Sequence, residues 1–262
     1  MVATEGAIRG MREKACVEQR QTNMKKLSSF SAKEFVHIVR STPNAEASVI
    51  SPTLTQEAYE RLEEMIITLE LAPGESVSEA ILSKRLGIGT TPIREALHRL
   101  ARQYLVKIIP RRGVVVTSID VRLQFEVLEA RRELDRLISR GAAQRASPGE
   151  RQVLTQLIKT TQAAIQANDI KEFLRTDAEL NEWLTKAARN SVASDISATL
   201  HAVSRRFWYF HLSDEDQFKR TAVLHLAVVK AIASGNTAAA AAASDQLIDY
   251  LVEFANATLP GA

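Results

Sequence analysis

The chain contains few of the residues that cross-link a fold or interrupt a helix. Its 262 residues include one cysteine, seven prolines and ten glycines. A single cysteine excludes an intramolecular disulfide framework and suits a reducing compartment. The chain also lacks an apolar run of about 18 to 20 residues and an apolar signal-peptide core, so neither a membrane span nor secretion is expected. We therefore expect a mainly helical, cytoplasmic protein with no membrane partner.

Excess positive charge is concentrated in one stretch. Residues 84–112 contain eight lysines and arginines against one acid, a net charge of +7, whereas residues 51–83 contain one base against seven acids, a net charge of −6. The whole chain carries only +3. Because phosphate binding needs a localised basic face, this distribution predicts a nucleic-acid-binding surface within residues 84–112.

Three short helices are predicted around this basic stretch. Apolar residues recur every three or four positions over residues 58–69, which indicates an amphipathic helix. Ser78 is placed to cap a second helix, which ends at Leu86-Gly87. Thr91 is placed to cap a third helix, with Pro92 at its first helical position.

A two-stranded hairpin completes the motif. Strands predicted over residues 105–109 and 114–117 flank a basic turn, and they follow a helix-turn-helix at about residues 79–98. This order predicts a winged helix-turn-helix DNA-binding domain over residues 51–118, whose third helix fits a DNA major groove.

The rest of the chain predicts a second, all-helical domain. Residues 119–258 have helical periodicity and carry 17 bases against 18 acids, so they predict a six-helix bundle that does not itself bind DNA. Residues 1–50 are polar and are predicted to be a flexible tail. The predicted fold class is mainly α: a winged helix-turn-helix followed by an all-α bundle. The predicted breaks between the six helices lie at residues 147–149, 168–169, 190–191, 213–214 and 234–236.

Three short runs carry a family resemblance. Residues 71–79, 86–97 and 111–113 resemble the GntR superfamily of bacterial transcription regulators, and the bundle resembles the FCD type found in its FadR-like branch. The resemblance covers about residues 52–256. It implies a homodimer that binds a short palindromic operator in double-stranded DNA. It also implies that a small metabolite, often a carboxylic acid, binds the helical domain and changes the affinity for DNA.

The resemblance implies roles for residues of the winged helix. Arg94 would contact a phosphate or a base, Thr91 would donate to the DNA backbone, and Gly113 would let the wing approach the minor groove. Where family members usually carry Ser-Arg or Thr-Arg, this chain has Gly89-Thr90, so a family operator sequence does not transfer directly. The predicted DNA-binding residues are Gly89, Thr90, Thr91, Arg94, Arg99, Arg111, Arg112 and Gly113.

Four polar residues fall on apolar faces of the predicted bundle helices. Asp177 and Asn181 share such a face, and Arg131 and His225 lie on two others. Because unpaired buried polar groups are costly, the four together predict a polar cavity. We expect an organic carboxylate to meet Arg131, with Asp177, or a partly outward-facing Asp135, as alternative structural partners. The predicted effector-binding residues are Arg131, Asp177, Asn181 and His225.

A metal site is only partly present in this pattern. Many FCD domains hold a divalent metal with an Asp-x-x-x-His pair and one histidine on each of two later helices. The chain keeps Asp177 and His225, but it has Asn181 and Leu247 at the other two positions. Two ligands are too few for a tight site, so no metal and no cofactor are expected. His201 and His211 are the remaining candidates, and both lie on the predicted helix that carries residues 205–210.

The expected function is a ligand-responsive transcription regulator, not an enzyme. A DNA-binding protein that needs no effector is one alternative. A small helical enzyme with Asp177 and His225 as acid and base is another, although the chain lacks a phosphate loop, a nucleophile elbow and a complete metal set.

Overall fold

The computed structural model describes residues 53–110 and 113–259. Within them the chain forms nine helices and one three-stranded sheet, so the predicted mainly α fold class is confirmed. The first part contains α1 (Leu54–Ile67), β1 (Ser76–Val77), α2 (Glu79–Leu86), α3 (Thr90–Arg102), β2 (Val106–Ile109) and β3 (Gly113–Val116). The second part contains α4 (Val121–Arg145), α5 (Pro148–Gln166), α6 (Ile170–Ala188), α7 (Ser191–His211), α8 (Glu215–Ala233) and α9 (Thr237–Asn256). The predicted tail at residues 1–50 lies outside the described residues.

The turn between α2 and α3 positions the exposed side of α3. The Ser78 side chain accepts a hydrogen bond from the Ile81 amide, and Gly87 ends α2 in the left-handed conformation (φ 68°), as predicted. The predicted start of α3 is wrong by two residues, because Gly89 is the N-cap and Thr91 does not cap the helix. Pro92 is therefore third in the helix, where its missing N–H still costs no intrahelical hydrogen bond.

The sheet has one strand more than the predicted hairpin. All three strands pair antiparallel in the order β1-β3-β2, with Val114 opposite Val77 on one side and Ile108 on the other. Strand β1 has two residues, which is too short for an alternating pattern to be visible in the sequence. The pairing brings β3 so close to β1 that a Cβ on Gly113 (φ 91°) would lie 2.9 Å from the Val77 carbonyl oxygen.

The six predicted helices of the second part are present, with boundaries at the predicted breaks. Each begins at a residue whose side chain accepts a hydrogen bond from the first turn, which explains why the breaks are visible in the sequence. These N-caps are Asp120, Ser147, Asp169, Asn190, Asp214 and Asn236. Ser147 also forms the predicted capping box with Glu150. The predicted domain boundary at residue 118 falls between β3 and α4.

Helix α4 is central in the second part. It packs against α6, α7, α8 and α9, and three large aromatic residues, Phe173, Trp208 and Phe218, fill the space between α6, α7 and α8. Phe173 and Phe218 meet edge to face, with ring centroids 5.3 Å apart. In residues 53–110 and 113–259, no helix combines the length and apolar character that a membrane crossing requires.

Candidate nucleic-acid interface and ligand cavity

The N-terminal end of α3 is exposed. Gly89, Thr90, Thr91 and Arg94 all lie on the surface, as a helix that enters a DNA groove requires. The Arg94 side chain is 58% exposed and is held by Glu79 of α2, with Nη2–Oε2 and Nε–Oε2 distances of 2.7 and 2.9 Å. Its hydrogen bonds with Arg94 lower the pKa of Glu79. A DNA phosphate or base would therefore compete with Glu79 for Arg94.

Arg99 lies on a different side of α3. Its guanidinium carbon is 3.6 Å from the centroid of the Tyr59 ring on α1, and its Nη1 donates to Gln56 Oε1 at 2.9 Å. The side chain is half-buried. Arg99 therefore attaches α3 to α1, a role that helical periodicity did not indicate because Tyr59 is 40 positions away in the sequence.

The described part of the wing gives Gly113 a structural role. Its close approach to Val77 and its positive φ both require glycine, independently of DNA. Arg111 and Arg112, the predicted wing contacts, lie outside the described residues.

The four predicted effector residues line common space inside the helical part. Two small adjoining cavities share the side chains of Arg131, Asp177, Asn181 and His225, together with His201. These residues come from α4, α6, α7 and α8. The free space inside them is about 20 and 40 Å³, which is room for a few water molecules, so a bound organic ligand requires the walls to move apart.

Arg131 already has a buried partner in Asp135. Its Nε and Nη2 donate to Asp135 Oδ2 at 3.0 and 2.9 Å, and His201 Nε2 lies 2.8 Å from Oδ1 of the same carboxylate. The expectation that Asp135 faces partly outward is wrong, since the residue is only 9% exposed. Packing of α7 against α4 encloses it, which the sequence of α4 alone does not show.

Burial and charge together set the protonation of this cluster. Burial alone would raise the pKa of Asp135, but His201 and Arg131 outweigh it and hold that pKa well below its usual range. Burial lowers the pKa of His201, against the opposing effect of Asp135. At neutral pH the cluster is therefore an ion pair of Asp135 and Arg131 with a neutral imidazole beside it.

Asp177 and His225 form a second buried pair. Asp177 Oδ1 lies 2.6 Å from His225 Nδ1, and Asn181 Nδ2 donates to the backbone carbonyl of Asp177 at 2.8 Å. Burial would raise the pKa of Asp177, but the charge and hydrogen bond of His225 outweigh it, so the pKa is about 2. Asp177 is therefore a carboxylate at neutral pH.

The cavity residues do not fit a divalent metal. No group of three or more potential histidine, cysteine or acidic ligands occurs in the part of the chain that the structure describes. Asp177 and His225 are the two potential ligands that remain, and they are hydrogen-bonded to each other at 2.6 Å; two ligands are too few for a tight site. Asn181 and Leu247 line the same cavity without supplying the missing ligands.

Sequence reasoning missed Arg205 as a cavity residue. Arg205 lines the smaller cavity and also lies 3.3 Å from Glu63 of α1. The next residue, Arg206, donates to the hydroxyl and the carbonyl of Thr117, directly after β3. Both arginines directly precede the aromatic residues 207–210, and their contacts are with residues of the first part of the chain that are distant in the sequence.

Two family profiles match adjacent parts of the chain. The family described as bacterial regulatory proteins, gntR family, matches residues 54–116, and the FCD domain matches residues 126–250. The first match contains α1 to β3. The second covers most of the six-helix part, including every cavity residue named above.

Similar proteins include named transcription regulators. The HTH-type transcriptional repressor RspR of Escherichia coli K12 is 27% identical over 188 residues, which cover 70% of this chain and 81% of RspR. A shorter match, 41% identical over 68 residues, is an uncharacterized HTH-type regulator of Streptomyces ambofaciens and covers 26% of this chain and 29% of that protein. Of the solved structures, E. coli McbR/YncC has a TM-score of 0.68 at 16% identity, covering 79% of this chain and 98% of that one. At this identity the likeness shows the fold alone.

Proposed function

Since this chain belongs to the GntR family of bacterial transcription regulators and carries an FCD domain, we propose that it binds a palindromic operator as a homodimer. In this proposal a small carboxylate enters the FCD cavity and changes the affinity for DNA. The observation that carries the proposal is the exposed basic end of α3, joined through α1 and α7 to a buried polar cavity. Such a protein acts in the cytoplasm, where its DNA is.

The proposed DNA surface combines the start of α3 with the wing. Thr90, Thr91 and Arg94 are exposed on the face that would enter the major groove, and Gly89 leaves the helix N-terminus open to a phosphate. In this proposal Arg111 and Arg112, which follow β2 in the sequence, add wing contacts with DNA, and Gly113 lets β3 approach β1 closely. We leave Arg99 out of this set because its guanidinium is engaged with α1.

The proposed effector is an organic carboxylate. Arg131 uses two of its N–H donors on one oxygen of Asp135, which leaves others of its five donors for a ligand. Asn181 and His225 supply further polar groups on the same cavity wall. Around them the wall is apolar, with Leu174 and Trp208, as expected of a site for a small organic acid rather than for a free ion.

Selection of bound duplexes from a random pool tests the DNA part of the proposal. We expect an enriched pseudo-palindrome with two half-sites, each read by one α3. Binding without sequence preference would contradict it. An effect of added carboxylates on operator affinity, with the carboxylate recovered unchanged, then separates a responsive regulator from an effector-independent DNA binder and from an enzyme.

A further inference from the structure

We propose that Arg205 is a second cation, beside Arg131, that meets the effector carboxylate, and that it transmits binding to α3 by leaving Glu63 of α1. The inference rests on the function proposed above, because it names how that cavity controls the DNA-binding helix. In this proposal one side chain, Arg205, both contacts the ligand inside the helical part and forms an ion pair with the winged helix.

Arg205 lies between the cavity and α1. It lines the smaller cavity beside Asp177 and His225, and its side chain is 14% exposed. The contact of its Nη2 with Glu63 Oε2 is single and, at 3.3 Å, long for an arginine–carboxylate pair. Within the described residues its buried Nε meets no hydrogen-bond acceptor. A second carboxylate would satisfy this donor.

Arg205 differs from Arg131 in where its counter-charge lies. The counter-charge of Arg131 is Asp135, which lines the larger cavity. Arg205 forms its ion pair with Glu63, which belongs to the winged helix, and its charge also helps to lower the pKa of Asp177 in the cavity. A carboxylate that binds Arg205 therefore competes with a residue of the DNA-binding part, whereas one that binds Arg131 competes inside the cavity.

Glu63 also contacts Tyr59, the residue on whose ring Arg99 stacks. The Tyr59 hydroxyl donates to the second oxygen of Glu63, and burial, together with Glu63, raises the pKa of Tyr59 so that this proton stays in place. Arg99 of α3 stacks on the Tyr59 ring, with its guanidinium carbon 3.6 Å from the ring centroid. We call the series Arg205, Glu63, Tyr59 and Arg99 the relay. Four side chains in contact thus connect the cavity with α3.

The relay determines how α3 is held on α1. With Glu63 paired to Arg205, Tyr59 is fixed at one end and supports Arg99, so the exposed end of α3 is preorganised for DNA. When a carboxylate draws Arg205 towards the cavity, Glu63 loses its counter-ion and the support of Arg99 is weakened. Operator affinity then falls, and by linkage DNA lowers the affinity for the carboxylate by the same factor.

A double-mutant cycle without any ligand tests the relay. We expect E63Q and R205Q each to weaken operator binding by at least about five-fold, and the double variant to bind no more weakly than either single variant, since all three lack the same contact. The direction of the change in operator affinity of E63Q distinguishes the relay from a simple charge effect, because removing a negative charge would by itself strengthen DNA binding.

The matched control is R220Q, which removes an equal charge from an exposed arginine paired with Glu253 on α8 and α9. We expect its operator affinity to change less than two-fold. Melting temperatures of all variants establish that they fold, and R205K replaces R205Q if the latter does not. Affinities of E63Q within two-fold of the wild type, or additive effects in the double variant, would overturn the relay.

A carboxylate panel tests the ligand end. Acetate, succinate, citrate and benzoate are each added at constant ionic strength, with chloride as reference. We expect at least one of them to raise the melting temperature of the wild type and of E63Q, to weaken operator binding of the wild type, and to leave the already weak binding of E63Q within two-fold. R205Q should lose the thermal shift.

The two proposals fail separately. If no member of the panel binds the wild type, the proposed carboxylate effector and the proposed ligand contact of Arg205 are both wrong. The double-mutant cycle still tests whether the Arg205–Glu63 contact supports operator binding. If a carboxylate binds equally well to R205Q, the effector stands and the role of Arg205 is wrong.

Discussion

Arg94 and Arg99 lie five residues apart on α3, yet their guanidinium groups have different surroundings. Arg94 is exposed and, among the residues that the structure describes, forms an ion pair with Glu79 of the neighbouring helix alone. Arg99 is stacked on a buried tyrosine. An exposed ion pair contributes little to stability and is readily exchanged for a phosphate. Arg94 is therefore available to DNA, and Arg99 is part of the fold.

This difference predicts opposite effects at the two ends of the Arg94–Glu79 pair. Arg94→Ala should weaken operator binding by about five- to a hundred-fold if it contacts a base edge. Glu79→Gln should strengthen binding by about two- to five-fold, because the competing carboxylate is removed. Fluorescence anisotropy with a labelled operator measures both. Equal affinities of all three proteins would contradict a DNA contact by Arg94.

The buried Asp135 cluster predicts a loss of stability in mild acid. Burial depresses the pKa of His201 in the folded chain, so the unfolded chain binds more protons as the pH falls through about 6.5, the ordinary pKa of histidine. The folded protein should therefore lose stability between pH 7 and pH 5, by a few degrees in Tm. The depressed pKa of Asp135 acts in the same direction at lower pH, below that of an ordinary aspartate.

His201→Gln separates the histidine from the acids. The glutamine amide can still donate to Asp135 but does not titrate, so its Tm should change less between pH 7 and pH 5 than that of the wild type. Denaturation followed by circular dichroism at each pH is the measurement. An unchanged pH profile in the variant would show that His201 is not the titrating group.

At the scale of elements, the features that were predictable are those encoded by neighbouring residues. The six helices of the second part were predicted because each is preceded by a capping residue, and α2 because of Ser78 and Gly87. Strand β1 was missed because two residues carry no period, and it forms only through its pairing with β3. The positions of Arg99 and Arg205 were missed for a related reason, since each depends on a residue of α1 that is distant in the sequence.

The pairing of β1 with β3 predicts a specific requirement for glycine. Gly113→Ala should destabilise the winged helix by more than the cost of about 1 kcal/mol expected for a left-handed backbone alone, because the new Cβ would lie 2.9 Å from the Val77 carbonyl oxygen. The matched control is Gly74→Ala, which has a similar φ of 83° but no atom within 4 Å of the new Cβ. Urea denaturation compares the two. Equal losses in the free energy of unfolding would show that β1 moves away from the new Cβ at little cost.

The arrangement of α6, α8 and α9 predicts that a metal site can be restored. Asn181 and Leu247 line the same cavity as Asp177 and His225, so histidines at both positions would complete a four-ligand set. We expect the double variant Asn181→His, Leu247→His to bind about one zinc, nickel or manganese ion per chain, and the wild type and each single variant to bind less. Elemental analysis after dialysis measures this. One tightly held metal per wild-type chain would contradict our interpretation of the cavity.

At the scale of the whole molecule, helix α7 contacts both the cavity and the winged helix. One of its faces lines the cavity through His201 and Arg205, and its end holds the winged helix through Arg205 and Arg206. Arg206 is buried, which lowers its pKa to about 10, and it anchors the segment after β3. The two arginines therefore combine an attachment to Thr117 by two hydrogen bonds with a weaker one to Glu63. In the proposed mechanism the ligand moves only the second contact, and the two parts stay attached.

The last prediction concerns assembly on DNA. Because one α3 reads only a few base pairs, a specific operator needs two copies related by a two-fold axis, with half-sites one helical turn apart or a multiple of it. Sedimentation should find two chains per duplex. Affinity should fall steeply with salt, since each neutralised phosphate contributes about −0.9 to the slope of log K against log salt. If Arg94 contacts a phosphate, Arg94→Ala should reduce that slope by about one, whereas Arg220→Gln, on a different part of the surface, should leave it unchanged. A monomer that binds the full palindrome, or a salt slope near zero, would show that this basic surface does not bind DNA as proposed.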